Sequence, residues 1–393
     1  MKVSFFSNFL NHHQLPFCKE MFRLLGGDFT FVATEKIPQE RLDLGYEDMN
    51  HKFSYIIRSY ESFEQKQKAL EVGMNSDVVI IGSAPDFFIE DRLKENKLTF
   101  RYSERIFRNG YIHAFDPRNI WGMWRHHTKY RNKNLRMLCA SGYTAYDMNL
   151  FRAYPNKMYK WGYFPQVFEY DIDQLIEQKE KEVIHILWVG RFINVKHPEQ
   201  VIKVGNYLRA RKVRFTITMI GIGDLKDNIE KLITKNHLEK YIYLPGSMTP
   251  EEVRNYMEKA EIFLFTSDYG EGWGAVLNEA MNSGCAVVVS HAVGSSLFLI
   301  SHMNNGVIYQ YGNDKDLNEK VFMLCEDAEL RKRLGKNAYR TLQTRWSPHN
   351  AAINFYKLSK SLLEGNELTI LEGPGSKAEV VKPKKAYEYM VKR

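Results

Sequence analysis

The residues best placed to do chemistry lie in the stretch Ser267-Asp-Tyr-Gly-Glu-Gly-Trp-Gly-Ala-Val-Leu-Asn-Glu279. Gly270, Gly272 and Gly274 surround Glu271 and Trp273, so the backbone can approach a ligand closely and present amides to an anion. Glu271 in the loop and Glu279 further along a helix could reach different hydroxyl groups of one polyol ligand. For an isolated pair at this spacing the plainer account is a helix-start acid and a solvated helix residue. A second group, Gly190-Arg-Phe-Ile-Asn-Val-Lys196, brings two cations, Arg191 and Lys196, to one loop, where they can neutralise a diphosphate without a metal. No acidic cluster of the Asp-X-Asp kind stands out as a magnesium site, and no metal is expected. Surface ion pairing is the alternative for both cations. His12 and His13 follow an apolar run and could contact substrate, or be ordinary polar loop residues. Glu104 could hold an acceptor hydroxyl or act as a base, or pair with Arg101, Arg105 or Arg108.

Elements with the length of buried parallel strands must position these residues. The apolar runs Ile262 to Phe265 and Ala286 to Val289 flank a helix-length segment, a strand–helix–strand unit. The first half carries similar runs at Val3 to Phe6, Phe29 to Val32, Val78 to Ile81, Leu98 to Tyr102 and Leu135 to Ala140, separated by helix-compatible stretches. After Trp161-Gly-Tyr-Phe-Pro165 the chain turns polar through Asp171 to Lys181, which reads as a crossover between domains. A second set of strands begins at Val183 to Val189 and continues at Phe215 to Ile220 and Tyr241 to Leu244. Gly221-Ile-Gly223 is a tight strand-to-helix turn, and Thr249-Pro-Glu-Glu252 a capping box. Helices are expected over Asp314 to Cys325, Ala328 to Thr344 and Pro348 to Leu363, then an extended tail until Tyr387. The loop after the first strand lacks a glycine pair, so it is no dinucleotide fingerprint, which argues against an oxidoreductase.

With 393 residues, two domains and substantial cores are expected. No apolar run approaches the ~18 residues of a membrane span, and the first residues show no cleavage site, so a cytoplasmic chain is expected. Cys18, Cys139, Cys285 and Cys325 lack metal-ligand spacing and read as reduced core thiols. A net charge of +8 favours anionic partners. The positive charge is lopsided: from Arg101 to Arg136 basic residues face only Glu104 and Asp116, with Tyr111, Phe115, Trp121, Trp124 and Tyr130 interleaved. That combination suits single-stranded nucleic acid, a membrane interface or an anionic glycan carrier, against a solvated basic face with core aromatics.

From about Val183 to Leu363 the chain resembles the donor-binding domain of retaining glycosyltransferases, family 4 (glycosyl transferases group 1), with the GT-B fold. The resemblance rests on an ordered series: Gly190-Arg191 with Lys196, Gly221-Ile-Gly223, Leu244-Pro-Gly246, Glu271-Gly-Trp-Gly274 with Glu279-Ala-Met281, then Gly284. It implies an α/β chain of two Rossmann-like, doubly wound parallel-sheet domains facing each other across a cleft. The expected division is 1–168 as an acceptor-side domain, 169–350 as the nucleotide-sugar donor domain, and 351–393 as a C-terminal helix and basic tail docking back on the N-terminal domain.

By resemblance Arg191 and Lys196 hold the diphosphate, Glu271 and the amides after it the transferred sugar, and Glu279 the ribose hydroxyls. Gly190, Gly272, Trp273, Gly274 and Ala275 join the donor set, with Ser247 and Met248 near the base. The implied activity is retaining, metal-independent hexosyl transfer, without a cofactor, from a nucleotide sugar (UDP favoured over GDP) to a glycan or lipid-linked acceptor in polysaccharide or glycoconjugate synthesis. Peripheral contact with an anionic membrane is left open, and no nucleic acid is expected. A catalytically silent protein of the same fold, binding an anionic glycan, membrane or nucleic acid through its basic aromatic stretch, is the alternative. Two departures stand out. Asn11-His-His-Gln14 replaces the glycine-rich first loop, and Ser295 to Ile300 lacks the glutamate that often follows the later glycine turn. Acceptor identity does not follow from fold.

Overall fold

The computed structural model describes residues 1–39, 42, 47–366 and 368–392. The chain divides into two compact units, one of residues 1–166 and 346–381, the other of 167–345 and 382–393. The C-terminal segment, expected to act as one piece on the N-terminal domain, is thus shared between the two.

Among the described residues the first unit is built on seven parallel strands: β1 (Val3–Ser7), β2 (Phe29–Ala33), β3 (Ile56–Arg58), β4 (Val78–Ile81), β5 (Thr99–Ser103), β6 (Leu135–Cys139) and β7 (Met158–Lys160). Their order is β3-β2-β1-β4-β5-β6-β7, so the winding reverses between β1 and β4. β1, β2 and β4 are mostly apolar and buried, as expected where helices cover both faces of such a sheet, while β3, β5, β6 and β7 each carry one cation. Phe17, Phe100, Trp161, Phe164 and Phe355 pack edge to face in the core, which seats the helix Pro348–Leu363 in this unit. The edge strand β7 does not end the hydrogen bonding. Gly375 N–H donates to the Lys160 carbonyl, Lys160 N–H to Ser376 and Ala378 N–H to Met158, so the chain after the helix runs antiparallel along it.

The second unit has six parallel strands: β8 (Ile184–Val189), β9 (Phe215–Ile220), β10 (Ile242–Gly246), β11 (Ile262–Phe265), β12 (Ala286–Ser290) and β13 (Val307–Tyr309), in the order β10-β9-β8-β11-β12-β13. Its core gathers Trp188, Ile217, Met219, Leu264 and Val288 from the sheet with Leu208, Val321 and Leu334 from the helices. Each such side chain contributes about 1.5–3 kcal/mol on burial. Thr249 caps the helix Pro250–Lys259 with a complete capping box. The four cysteines are buried and free. The tail forms a further helix, Pro383–Lys392, where the sequence reading expects extended chain until Tyr387. Pro383 sets its first turn, and Ala386 and Met390, one turn apart, are buried.

Candidate active site

In an open parallel sheet, ligands bind beyond the carboxyl ends of the strands where the winding reverses. In the second unit that point lies between β8 and β11. The loop after β8 carries Gly190, Arg191 and Lys196; the loop after β11 carries Glu271.

Four links fasten these loops together. The Thr266 hydroxyl donates to the Lys196 carbonyl at 2.6 Å. The Asp268 N–H donates to the Val195 carbonyl at 3.0 Å. His197 Nε2 lies 3.1 Å from Asp268 Oδ2, while its Nδ1 lies 2.9 Å from Glu199 Oε1. Hydrogen bonds to Asp268 and then Glu199 raise the imidazole to about 9, against the opposing cost of burial. Finally, the Lys196 ammonium pairs with the Glu271 carboxylate, both side chains being only about 15% exposed. Ser267 Oγ donates to the same carboxylate oxygen at 3.0 Å.

Glycines set the approach of the neighbouring loops. Gly221, at φ +141°, lies so close to the backbone of Gly190 that a Cβ there would sit 2.0 Å from its carbonyl oxygen. Gly223 meets Phe192 in the same way, at 2.6 Å. The tight Gly221-Ile-Gly223 turn therefore braces the loop that carries Arg191. Gly221 N–H donates to the Gly246 carbonyl at 2.8 Å, which brings the ends of β8, β9 and β10 into one row. Ser247 and Met248 follow β10 directly; Ser247 is exposed and Met248 half-buried.

The remaining donor-side positions differ in kind. Arg191 is exposed. The Trp273 indole is fully buried and donates to Asn278 at 2.9 Å, so its side chain shapes the turn rather than presenting a surface. Gly274, at φ +82°, rests against the Phe265 ring, where a Cβ would come within 2.4 Å. Ala275 opens the helix Val276–Asn282, which carries Glu279. Glu279 keeps part of its surface open, yet burial pushes its carboxyl up to about 7 despite the opposing charge of Arg254.

In the first unit, His12 and His13 lie just beyond β1, at that sheet's own reversal point. Their rings are 3.7 Å apart, and His13 stacks on Tyr163. Glu104 follows β5 and pairs with Arg108. The sequence reading missed His197, Asp268 and Asp147. Asp147 is fully buried and accepts from the Ile106 and Phe107 amides and the Tyr111 hydroxyl. Only the Pro after His197, marking a helix start, gave any signal for the first of these.

A family model described as Glycosyl transferases group 1 matches residues 170–341, which contain Arg191, Lys196, Glu271 and Glu279. Residues 170–341 are thus similar to the glycosyl transferases group 1. An uncharacterized glycosyltransferase of Methanocaldococcus jannaschii is 32% identical over 151 residues, 38% of this chain and 41% of its own length. A Campylobacter jejuni N-acetylgalactosamine-N,N'-diacetylbacillosaminyl-diphospho-undecaprenol 4-alpha-N-acetylgalactosaminyltransferase is 31% identical over 147 residues, 37% of this chain and 39% of its own. The chain spans less than half the length of these relatives. The crystal structure of Anabaena HepE in complex with UDP superposes with a TM-score of 0.66 at 14% identity, covering 92% of this chain and 100% of that one. The fold is accordingly GT-B, with two Rossmann-like units.

Proposed function

We propose that this chain is a retaining, metal-independent glycosyltransferase that moves a sugar from a nucleoside diphosphate, UDP before GDP, to a glycan or lipid-linked acceptor. The observation that carries the reading is the pairing of Lys196, on the loop that also carries Arg191, with Glu271 at the reversal point between β8 and β11. Arg191 and Lys196 take the diphosphate, whose developing negative charge they stabilise as the glycosidic bond breaks. Glu271 holds hydroxyls of the transferred sugar, and Glu279 those of the ribose. Ser247 and Met248 lie by the base, and the backbone from Gly272 to Ala275 lines the sugar. His12, His13 and Glu104 serve the acceptor, with Glu104 released from Arg108 on binding. The choice of UDP draws support from HepE, crystallised with UDP, and a lipid-linked acceptor from the Campylobacter relative's diphospho-undecaprenol substrate.

A thermal-shift panel of UDP, GDP, ADP and TDP tests the nucleotide. At ~100 times its dissociation constant the true ligand adds about 2.7 kcal/mol. UDP is expected to raise the melting temperature in the wild type and much less in Arg191→Ala and Glu279→Ala. An equal shift in all three would remove the nucleotide from this site.

The acceptor side includes contact with an anionic membrane surface, at the excursion between β5 and β6. Its ends are anchored, one by Asp147 and the other by Asp86, which binds Arg101 at 2.9 Å and His126 at 2.5 Å. Between them Ile112 (78% exposed), Phe115 (79%), Trp121 (56%) and Trp124 (54%) face solvent. Arg118, Arg125 and Lys129 are exposed beside them, and Arg125 lies over the Trp121 ring. Aromatic and aliphatic groups flanked by cations match the headgroup layer, and Ile112 has no ring face on which a nucleic-acid base could stack. Sedimentation with vesicles containing phosphatidylglycerol is expected for the wild type and strongly reduced for a charge-reversed Arg125, Lys129 and Arg131 variant. Equal sedimentation of the two, or binding to single-stranded RNA without vesicle binding, contradicts the membrane contact.

A further inference from the structure

We infer that the C-terminal helix Pro383–Lys392 is a strut for the loop that carries Glu271, and that Tyr269 is the positioning residue through which it acts. The inference rests on the transferase reading only for its catalytic consequence.

The structural argument is a directed run of hydrogen bonds. Tyr311 N–H donates to His291 Nδ1 at 3.0 Å. In the neutral imidazole the proton therefore resides on Nε2, which points at the Tyr269 hydroxyl oxygen 2.9 Å away. The Tyr269 hydroxyl then gives its own proton to the Pro383 carbonyl at 3.1 Å. Every donor in this run meets an acceptor, so it has one direction. Burial, the largest influence, takes His291 down to about 4, so the neutral ring persists at ordinary pH.

The helix is held independently of Tyr269. Tyr387 Oη lies 2.9 Å from Lys320 Nζ and 3.1 Å from Asp316 Oδ2, and Lys320 also donates to the Ile308 carbonyl. The Tyr387 ring packs against His291, and Ala386 is fully buried. Pro383 is thus a fixed point. On the other side Tyr269 lies two residues before Glu271, packs edge to face on Tyr311, and Tyr311 reaches His197 at 3.3 Å. The loop after β11 is therefore gripped from the helix at Tyr269 and from the loop after β8 at Asp268. A carboxylate that must meet sugar hydroxyls within a few tenths of an ångström gains from such support.

Tyr269→Phe keeps the ring and removes the run's central hydroxyl. Its expected effect is about a tenfold loss of kcat for hydrolysis of a UDP-sugar, with the dissociation constant for UDP changed less than twofold. A chain ending at Val381 should lose a similar factor, and Tyr269→Phe in that shorter chain should lose nothing more. Independent, multiplying losses would show that Tyr269 does not act through the helix. Hydrogen exchange of the amides 268–274, read without any substrate, separates the strut from the transferase reading. Exchange should quicken in both variants; unchanged exchange overturns the strut whatever the activity. Failure of the wild type to turn over any UDP-sugar, with faster exchange in the variants, removes the transferase reading and leaves the strut.

Discussion

The Lys196 ammonium and the Glu271 carboxylate pair across the point where the second sheet reverses its winding, each supplied by a different loop. A diphosphate entering there must take Lys196 from Glu271, which frees the carboxylate for sugar hydroxyls. Removing Glu271 therefore relieves the competition. Glu271→Gln is expected to bind UDP as well as the wild type or better, while transfer falls by at least about a hundredfold. Lys196→Ala should weaken UDP by about 10–100-fold, the worth of a charge-assisted hydrogen bond. Calorimetric titration alongside turnover checks both.

His197 links the same loops as a cation. Its folded value of about 9 exceeds the ordinary 6.5, so the stabilisation is complete below pH 6.5 and disappears as pH rises through 9. His197→Asn tolerates the left-handed backbone found there, at φ +47°. It should cost about 1–2 kcal/mol at pH 6, discounted for partial exposure, and little at pH 10. Urea denaturation at the two pH values measures this.

Glu279 has the opposite sign. Its value of about 7 lies above the ordinary 4.5, so the folded chain binds the extra proton between those limits, and above pH 7 the buried charge costs stability. Glu279→Gln should stabilise the chain by about 1–2 kcal/mol at pH 8, discounted for its open side, and leave it unchanged at pH 4. The same substitution should weaken UDP, since a ribose-binding carboxylate is lost. Stability and affinity moving together would contradict the assigned role.

Gly221→Ala places a methyl group against the Gly190 carbonyl and strains a backbone at φ +141°. A loss of about 2–4 kcal/mol is expected, with weaker nucleotide binding because the Arg191 loop must move. Gly246, where a Cβ meets nothing within 4 Å, is the control: Gly246→Ala feels only its positive φ.

Most strands were legible because they are short, nearly unbroken apolar runs, such as Val78 to Ile81 or Ala286 to Val289, between turn residues; β3 (Ile56–Arg58) and β7 (Met158–Lys160), three residues each and ending in a cation, were not. Arg191, Lys196 and Glu271 were legible because they directly follow such runs, where a parallel sheet opens to ligands. The partners were not. His197 meets Asp268, and Tyr269 meets Pro383, only once strand order places β8 beside β11 and the tail folds into a helix. Glycine content announced a tight turn at Gly221 and Gly223, yet not that it packs against the backbone of Gly190 and Phe192. Exposure of Phe115 and Trp124 was likewise invisible, since an aromatic residue in a basic run is as readily core as surface.

The central claim is that a sugar nucleotide reacts at Glu271. Incubating the wild type and Glu271→Ala with a panel of UDP- and GDP-sugars, and following donor hydrolysis by mass spectrometry, tests it most directly. One UDP-sugar should be consumed by the wild type and left intact by Glu271→Ala, which still binds UDP. Equal consumption by the two proteins, or no consumption of any donor by the wild type, would contradict the claim.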